Sequence, residues 1–123
     1  MAGKREWSAD EGPVFHLAPE EDWDRQRHKM TYVPEAYAED GFIHCTIGTE
    51  NLIAVGNMFY QSDHRPYVAL VVEPDRVESP IRFDDESGIY PHIYGTLPTA
   101  AVTTTYRVVR AADGSFMELV RDS

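Results

Sequence analysis

Three of the five histidines lie inside short apolar strings: Val14-Phe15-His16-Leu17, Gly41-Phe42-Ile43-His44-Cys45-Thr46 and Tyr90-Pro91-His92-Ile93-Tyr94-Gly95. His28 and His64 sit among charged and polar neighbours. Imidazole is the side chain best suited to exchange protons near neutral pH, so it serves as general acid, general base or metal ligand. In an apolar, strand-like setting it must find hydrogen-bond partners, bind a metal or face a wet cleft. Three such placements in a chain of 123 residues point to one shared polar pocket.

Strand alternation sorts the neighbours of each ring. Phe15 and Leu17 share a face opposite Val14, His16 and Ala18. Phe42, His44 and Thr46 lie opposite Ile43, Cys45 and Ile47. Tyr90, His92 and Tyr94 lie opposite Ile89 and Ile93. Each segment thus has an aliphatic side for the core and a side carrying histidine. The candidate catalytic groups are His16, His44 and His92, with Thr46, Thr49, Arg82 and Tyr94 as candidate ligand-binding residues. Thr49 is a good helix N-cap, at a helix start where an anion can bind. Arg82 is the nearest candidate anion clamp. Tyr94 offers a stacking surface.

Other readings stand beside this one. Each histidine can be a satisfied structural residue. Zinc accepts three imidazoles plus water, yet none of the three belongs to a close H-x-H or H-x-x-x-H pair, and no metal is expected. Cys45 adjoins His44 but points to the opposite face, as a small buried hydrophobe does. No serine stands in a nucleophile elbow, and there is no P-loop, dinucleotide fingerprint, zinc-finger spacing or EF-hand loop.

The elements that must position these residues follow from periodicity and breakers. Residues 1–12 read as a flexible N-terminal tail and residues 13–123 as a single domain. Residues 13–18 form a first strand, followed by a short surface helix from Pro19 to about His28, anchored by Trp23. Its acids Glu20 to Asp22 and bases Arg25 to Lys29 complement the helix dipole. An irregular stretch with one helical turn leads to Gly41. Residues 42–47 form a strand. Leu52, Ile53, Val55, Gly56, Phe59 and Tyr60 then recur at helical spacing, in a helix that packs on a sheet. Residues 67–72, apolar throughout, make a central strand buried on both faces. Residues 81–83 form a short strand, 84–88 an acidic loop and 101–110 a long strand. Asp113-Gly114 turns the chain into a hairpin with residues 116–120. The result is an α+β fold, a bent, mostly antiparallel sheet with two to three helices.

Composition narrows the partners. A formal net charge of -10 disfavours a nucleic acid or an anionic membrane, both recognised through lysine and arginine. A single cysteine excludes an internal disulfide framework. There is no signal peptide pattern and no apolar run long enough for a bilayer. A cytoplasmic protein, monomeric or a weak homodimer, with a small-molecule partner is expected.

Phe15-His16-Leu17 with Pro19-Glu20-Glu21-Asp22-Trp23, then Glu39 to Thr46, then Asn57-Met58-Phe59-Tyr60, then Pro91 to Pro98, together resemble the domain-of-unknown-function 952 family from about Pro13 to Val109. That family resembles the ADP-ribosyltransferase superfamily in fold, including the RNA 2′-phosphotransferase branch. The resemblance implies a small split sheet around a cleft for NAD or ADP-ribose as substrate, with no tightly bound cofactor. It implies that His16 holds a ribose, that His44 and Thr46 face the reacting centre, and that His92 and Tyr94 lie near the third motif. That motif usually carries an acid, and Glu86 is the nearest glutamate, in a polar loop. The functional expectation is a nucleotide-like ligand and ADP-ribosyl or phosphoryl transfer. The alternatives are a non-catalytic small-ligand or interaction module and a tri-histidine metal-dependent hydrolase.

Overall fold

A computed structural model describes the backbone of Arg5 and Glu6 and residues 13–121. In chain order the strands are β1 (Arg5–Glu6), β2 (Val14–Pro19), β3 (Thr31–Tyr32), β4 (Ile43–His44), β5 (Thr46–Ile47), β6 (Tyr67–Val72), β7 (Ile81–Phe83), β8 (Pro91–Ile93), β9 (Leu97–Pro98), β10 (Val102–Arg110) and β11 (Phe116–Arg121). The α-helices are α1 (Glu20–Gln26), α2 (Tyr37–Asp40) and α3 (Thr49–Phe59). The strands form a five-stranded sheet of order β11-β10-β6-β2-β5, a four-stranded sheet β1-β7-β8-β4 and a two-stranded pair β3-β9. Every pairing is antiparallel. The fold is α+β with a split sheet, as expected.

Two cores hold the layers together. On one face of the five-stranded sheet, Phe15, Leu17, Tyr67, Ala69, Val108 and Phe116 pack with Leu52 of α3. On the other face, Val14, Ala18, Val68, Leu70 and Val72 meet Ile43, Ile81 and Ile93 from the four-stranded sheet, together with Trp23 of α1. β2 is therefore buried along its whole length, which the alternation of its side chains alone does not reveal. β6 is covered on both faces, as its unbroken apolar run requires. α3 lies close to β11 because Gly56 has no side chain: a Cβ there would stand 2.3 Å from the Phe116 ring.

Four expectations need correction. Residues 42–47 are not one strand: β4 belongs to the four-stranded sheet and β5 to the five-stranded sheet, and the chain changes sheets at Cys45. The Cys45 amide donates to the Pro91 carbonyl at 3.0 Å and the Ile47 amide to the Ile89 carbonyl at 2.8 Å, which fixes the crossing. Thr49 does not cap α3. Gly48, at φ 96°, holds the cap position, and no side chain bonds the helix start. Pro19 precedes α1 instead of opening it, and the helix ends at Gln26. Arg5 and Glu6, in the expected tail, pair with Phe83 and Arg82; the other residues of that tail lie outside the described residues.

Candidate active site

The four-stranded sheet has one face in the core and one turned outward. Ile43, Ile81 and Ile93 occupy the inner face. On the outer face, strand register sets Arg82, His92 and His44 directly across from one another in one row. The His44 and His92 ring centroids are 5.1 Å apart, edge to face. Phe42 stacks on His92 at 4.2 Å and contacts His44 edge-on at 4.8 Å. Such ring pairs add orientation beyond their apolar burial.

Each of these histidines is held by its own carboxylate. His92 Nδ1 donates to Asp84 at 2.8 Å. His44 Nε2 donates to Asp40 at 2.9 Å. An ionised carboxylate only accepts, so the bonded nitrogen carries the proton and the other becomes the ring's acceptor: Nε2 in His92 and Nδ1 in His44. This is the orienting half of a general-base arrangement. Asp84 also accepts from the Tyr94 hydroxyl, and that bond raises the phenol's pKa. The Arg82 guanidinium lies over the Tyr94 ring, 5.4 Å from its centroid. Neither Tyr94 nor Arg82, both expected to bind ligand, lines the cleft that the row faces; Tyr94 supports Asp84 from behind, and Arg82 packs on Tyr94. Asp40 sits one turn before His44, at the end of α2, where Gly41 at φ 77° reverses the chain.

The row faces a cleft of about 740 Å³. His44, His92, Asp84, Asp85 and Tyr90 form one wall, and Val55, Met58 and Phe59 from the far half of α3, with Tyr60 just after it, form the other. Cys45 and Thr46 line it where the chain passes between sheets. Thr46 pairs with Phe15 and is 4% exposed. His44 donates its hydrogen bond to Asp40, so Asp40 and not Thr46 orients that ring. Thr49 is exposed at the opposite end of α3 from Phe59 and is not among the cleft's lining. Burial raises the pKa of the Cys45 thiol, consistent with an inert buried cysteine.

His16 is not in this row. It is 6% exposed, between the two sheets. Its Nδ1 donates to the His44 carbonyl at 2.7 Å, which leaves Nε2 to accept from the Tyr32 hydroxyl at 3.4 Å. Burial pulls its pKa down to about 4, so the ring is neutral. The expectation of three imidazoles opening on one hollow is thus met by two, with the third behind the backbone of His44. The tri-histidine metal site is not assembled either. His16 spends both nitrogens on other partners, and no group of three His, Cys, Asp or Glu side chains fit to hold a metal occurs among the described residues.

The groups that sequence reasoning missed are the two carboxylates that hold the rings, Asp40 and Asp84. Asp40 precedes His44 by four residues with a glycine between them, a spacing that signals a turn-closing pair. Asp84 follows β7 directly, and β7 pairs with β8 through Phe83 and Pro91. A hairpin reading would have carried Asp84 toward His92. The nearest glutamate, Glu86, is exposed and does not line the cleft.

The family model "Protein of unknown function (DUF952)" matches residues 17–105. The chain belongs to the DUF952 family. The crystal structure of protein CC0527 from Caulobacter crescentus is similar at 21% identity, with a TM-score of 0.73 over 86% of this chain and 94% of that one. The solution structure of the same protein gives a TM-score of 0.61 over 83% of this chain and 89% of that one. These likenesses show that the split-sheet fold of this DUF952 chain is shared. No curated protein matches. Among the described residues, no helix is long and apolar enough to cross a membrane.

Proposed function

We propose that the cleft binds a small ligand of the NAD or ADP-ribose type and that His92, oriented by Asp84, acts there as general base, with His44 beside it. The observation that carries this reading is the pair of carboxylate-held imidazoles side by side on the wall of a ligand-sized cleft. Small-molecule sites commonly occupy about 300–1,000 Å³ and combine apolar walls with a few fixed polar groups. Met58 and Phe59 supply exposed apolar contact area.

The reaction class is transfer of an ADP-ribosyl group, with phosphoryl transfer as its neighbour in the superfamily that the sequence resembles. In the ribosyl case, the bond from the ribose anomeric carbon to nicotinamide breaks, and its electron pair leaves with nicotinamide. A hydroxyl acceptor bonds to that carbon, and His92 Nε2 takes the acceptor's proton. Asp84 supplies negative charge beside the cation that develops on the sugar. Asp40, Asp84 and Asp85 favour the positively charged nicotinamide ring at this wall, and Arg82 is the cation nearest in the row for a phosphate. His16 is a positioning residue that holds the His44 backbone. The acidic charge and single cysteine fit a cytoplasmic setting.

Titration calorimetry with NAD, ADP-ribose and nicotinamide tests the reading. Saturable heat is expected for at least one of them, weakened about tenfold or more by His92→Ala. Absence of heat from all three at millimolar concentration overturns it. Binding without turnover of NAD would assign the cleft to a binding module instead of an enzyme.

A further inference from the structure

Behind His44 lies a second, smaller cavity of about 110 Å³. It shares His44 and Tyr60 with the large cleft, and these two side chains stand between the spaces. Four aromatic rings line it, Tyr32, Phe42, Tyr60 and Tyr67, together with the two imidazoles His16 and His44. Tyr60 and Tyr67 stack on each other at 5.2 Å, and Tyr32 meets His16 edge to face at 5.6 Å. Leu17, Pro19, Pro34 and Ala36 add apolar surface, Asp22 and Glu35 add two carboxylates, and among the described residues no lysine or arginine lines it.

The charge balance around this box is negative. Asp22 is 5% exposed, and its ion-pair partner Arg25 extends outward from α1, 2.9 Å away. Arg65 is shared among Glu21, Glu35 and Asp63. The phenols of Tyr32 and Tyr60 have raised pKa values, first through burial and then through Asp22 and Glu35 for Tyr32, and Asp40, Asp63 and Glu35 for Tyr60. His16 contributes no positive charge, because it is neutral above its lowered pKa of about 4. Asp22 and Glu35 each hold an arginine and Glu35 is 69% exposed, so what favours a cation here is the surplus of carboxylates over the shared Arg65, acting beside the ring faces.

We propose that this aromatic box is a binding site for a small organic cation, a methylated ammonium head group, held by the faces of Tyr32, Phe42 and Tyr60 with Asp22 and Glu35 as counter-charges. Ring faces attract cations, and desolvated aromatic cages recognise quaternary ammonium groups. The space is that of a small head group a few waters in size, which suits a methylated ammonium. The site is separate from the chemistry proposed for the large cleft and needs no NAD to operate. Because His44 and Tyr60 border both spaces, occupancy here would reach the large cleft through their side chains.

The test titrates the intact protein with tetramethylammonium, choline and dimethylbutanol, the neutral carbon isostere of choline, reading tyrosine and tryptophan fluorescence and ring proton shifts. Expected are saturable binding of the two cations and binding of the isostere at least about tenfold weaker. Tyr60→Leu, which keeps apolar volume at a half-buried position and removes the ring face, should weaken choline about tenfold and leave dimethylbutanol unchanged. Tyr60 is preferred to Tyr67, whose ring is also in contact with the Arg110 guanidinium. Equal binding of choline and its isostere would show an apolar hole and overturn the proposal. So would no saturable binding of either cation at tens of millimolar, a result on the unmodified protein that does not depend on how the variant folds.

Discussion

His16 and His92 occupy equivalent positions in two similar apolar strings, and the two sheets make different things of them. His92 stands on the outer face of the four-stranded sheet, stacked on Phe42, with Asp84 on one nitrogen and the cleft beside it. His16 stands on a face of the five-stranded sheet that the other sheet covers. It is neutral, and its Nδ1 is committed to a main-chain carbonyl. The lesson is that a polar residue alternating with apolar ones marks a face, and the layer laid on that face decides whether it is a site or a strut. The strut still serves the site, since the carbonyl that His16 holds belongs to His44.

The sharpest way to break this contrast is to remove each ring. His16→Ala leaves a hole between the sheets and strands the His44 carbonyl and Tyr32 hydroxyl, so a loss of about 4 kcal/mol is expected in chemical denaturation. His44→Ala, at a side chain 54% exposed, should stay within about 0.5 kcal/mol. Similar losses in the two variants would erase the distinction between strut and site.

The pH dependence of stability separates them next. The unfolded His16 takes a proton near its ordinary 6.5, and the folded one resists until about 4. Between those values the unfolded chain binds more protons, so stability is full above pH 6.5 and is lost as pH falls toward 4. The drop corresponds to about 3 kcal/mol, at about 1.4 kcal/mol per pH unit. In His16→Gln, denaturation midpoints followed across this window should lose that part of the slope. An unchanged slope would mean that the ring is not the buried neutral group described.

A smaller effect sharpens the outer face. Asp84→Asn weakens the anchor of His92 and removes the charge beside the Tyr94 hydroxyl. A loss of about 1 kcal/mol is expected, together with a fall of the Tyr94 pKa toward the ordinary phenol range, read by ultraviolet titration against Tyr94→Phe. If the tyrosine titration does not move, Asp84 is not the group that holds Tyr94.

Much of the fold was legible because its signals are local. The apolar run of β6, the helical spacing of α3 and the Asp113-Gly114 turn each act through near neighbours, and Gly114 does adopt φ 91°. The crossing at Cys45 was not legible. Residues 42–47 alternate like a single strand, and only the pairing of Ile43 and His44 with β8 and of Thr46 and Ile47 with β2, both distant in sequence, divides them between two sheets. The site was legible by half. His44, His92 and Thr46, which line the cleft, were visible from residue type and alternation. Asp40 and Asp84 lay in segments that read as loops, where no period indicates which way a carboxylate points.

By itself, then, the sequence determined which residues could exchange protons, which faces of the strands were aliphatic, and that the chain is an acidic α+β protein. Those properties reside in side-chain chemistry and in periods of two and 3.6 residues, which act over a few positions. Tertiary structure decided which histidines face the cleft, which carboxylates hold them, and that four rings and two acids meet in the lining of a cavity behind His44. These are outcomes of one layer packing on another, and the burial of a face depends on residues that no local pattern connects to it.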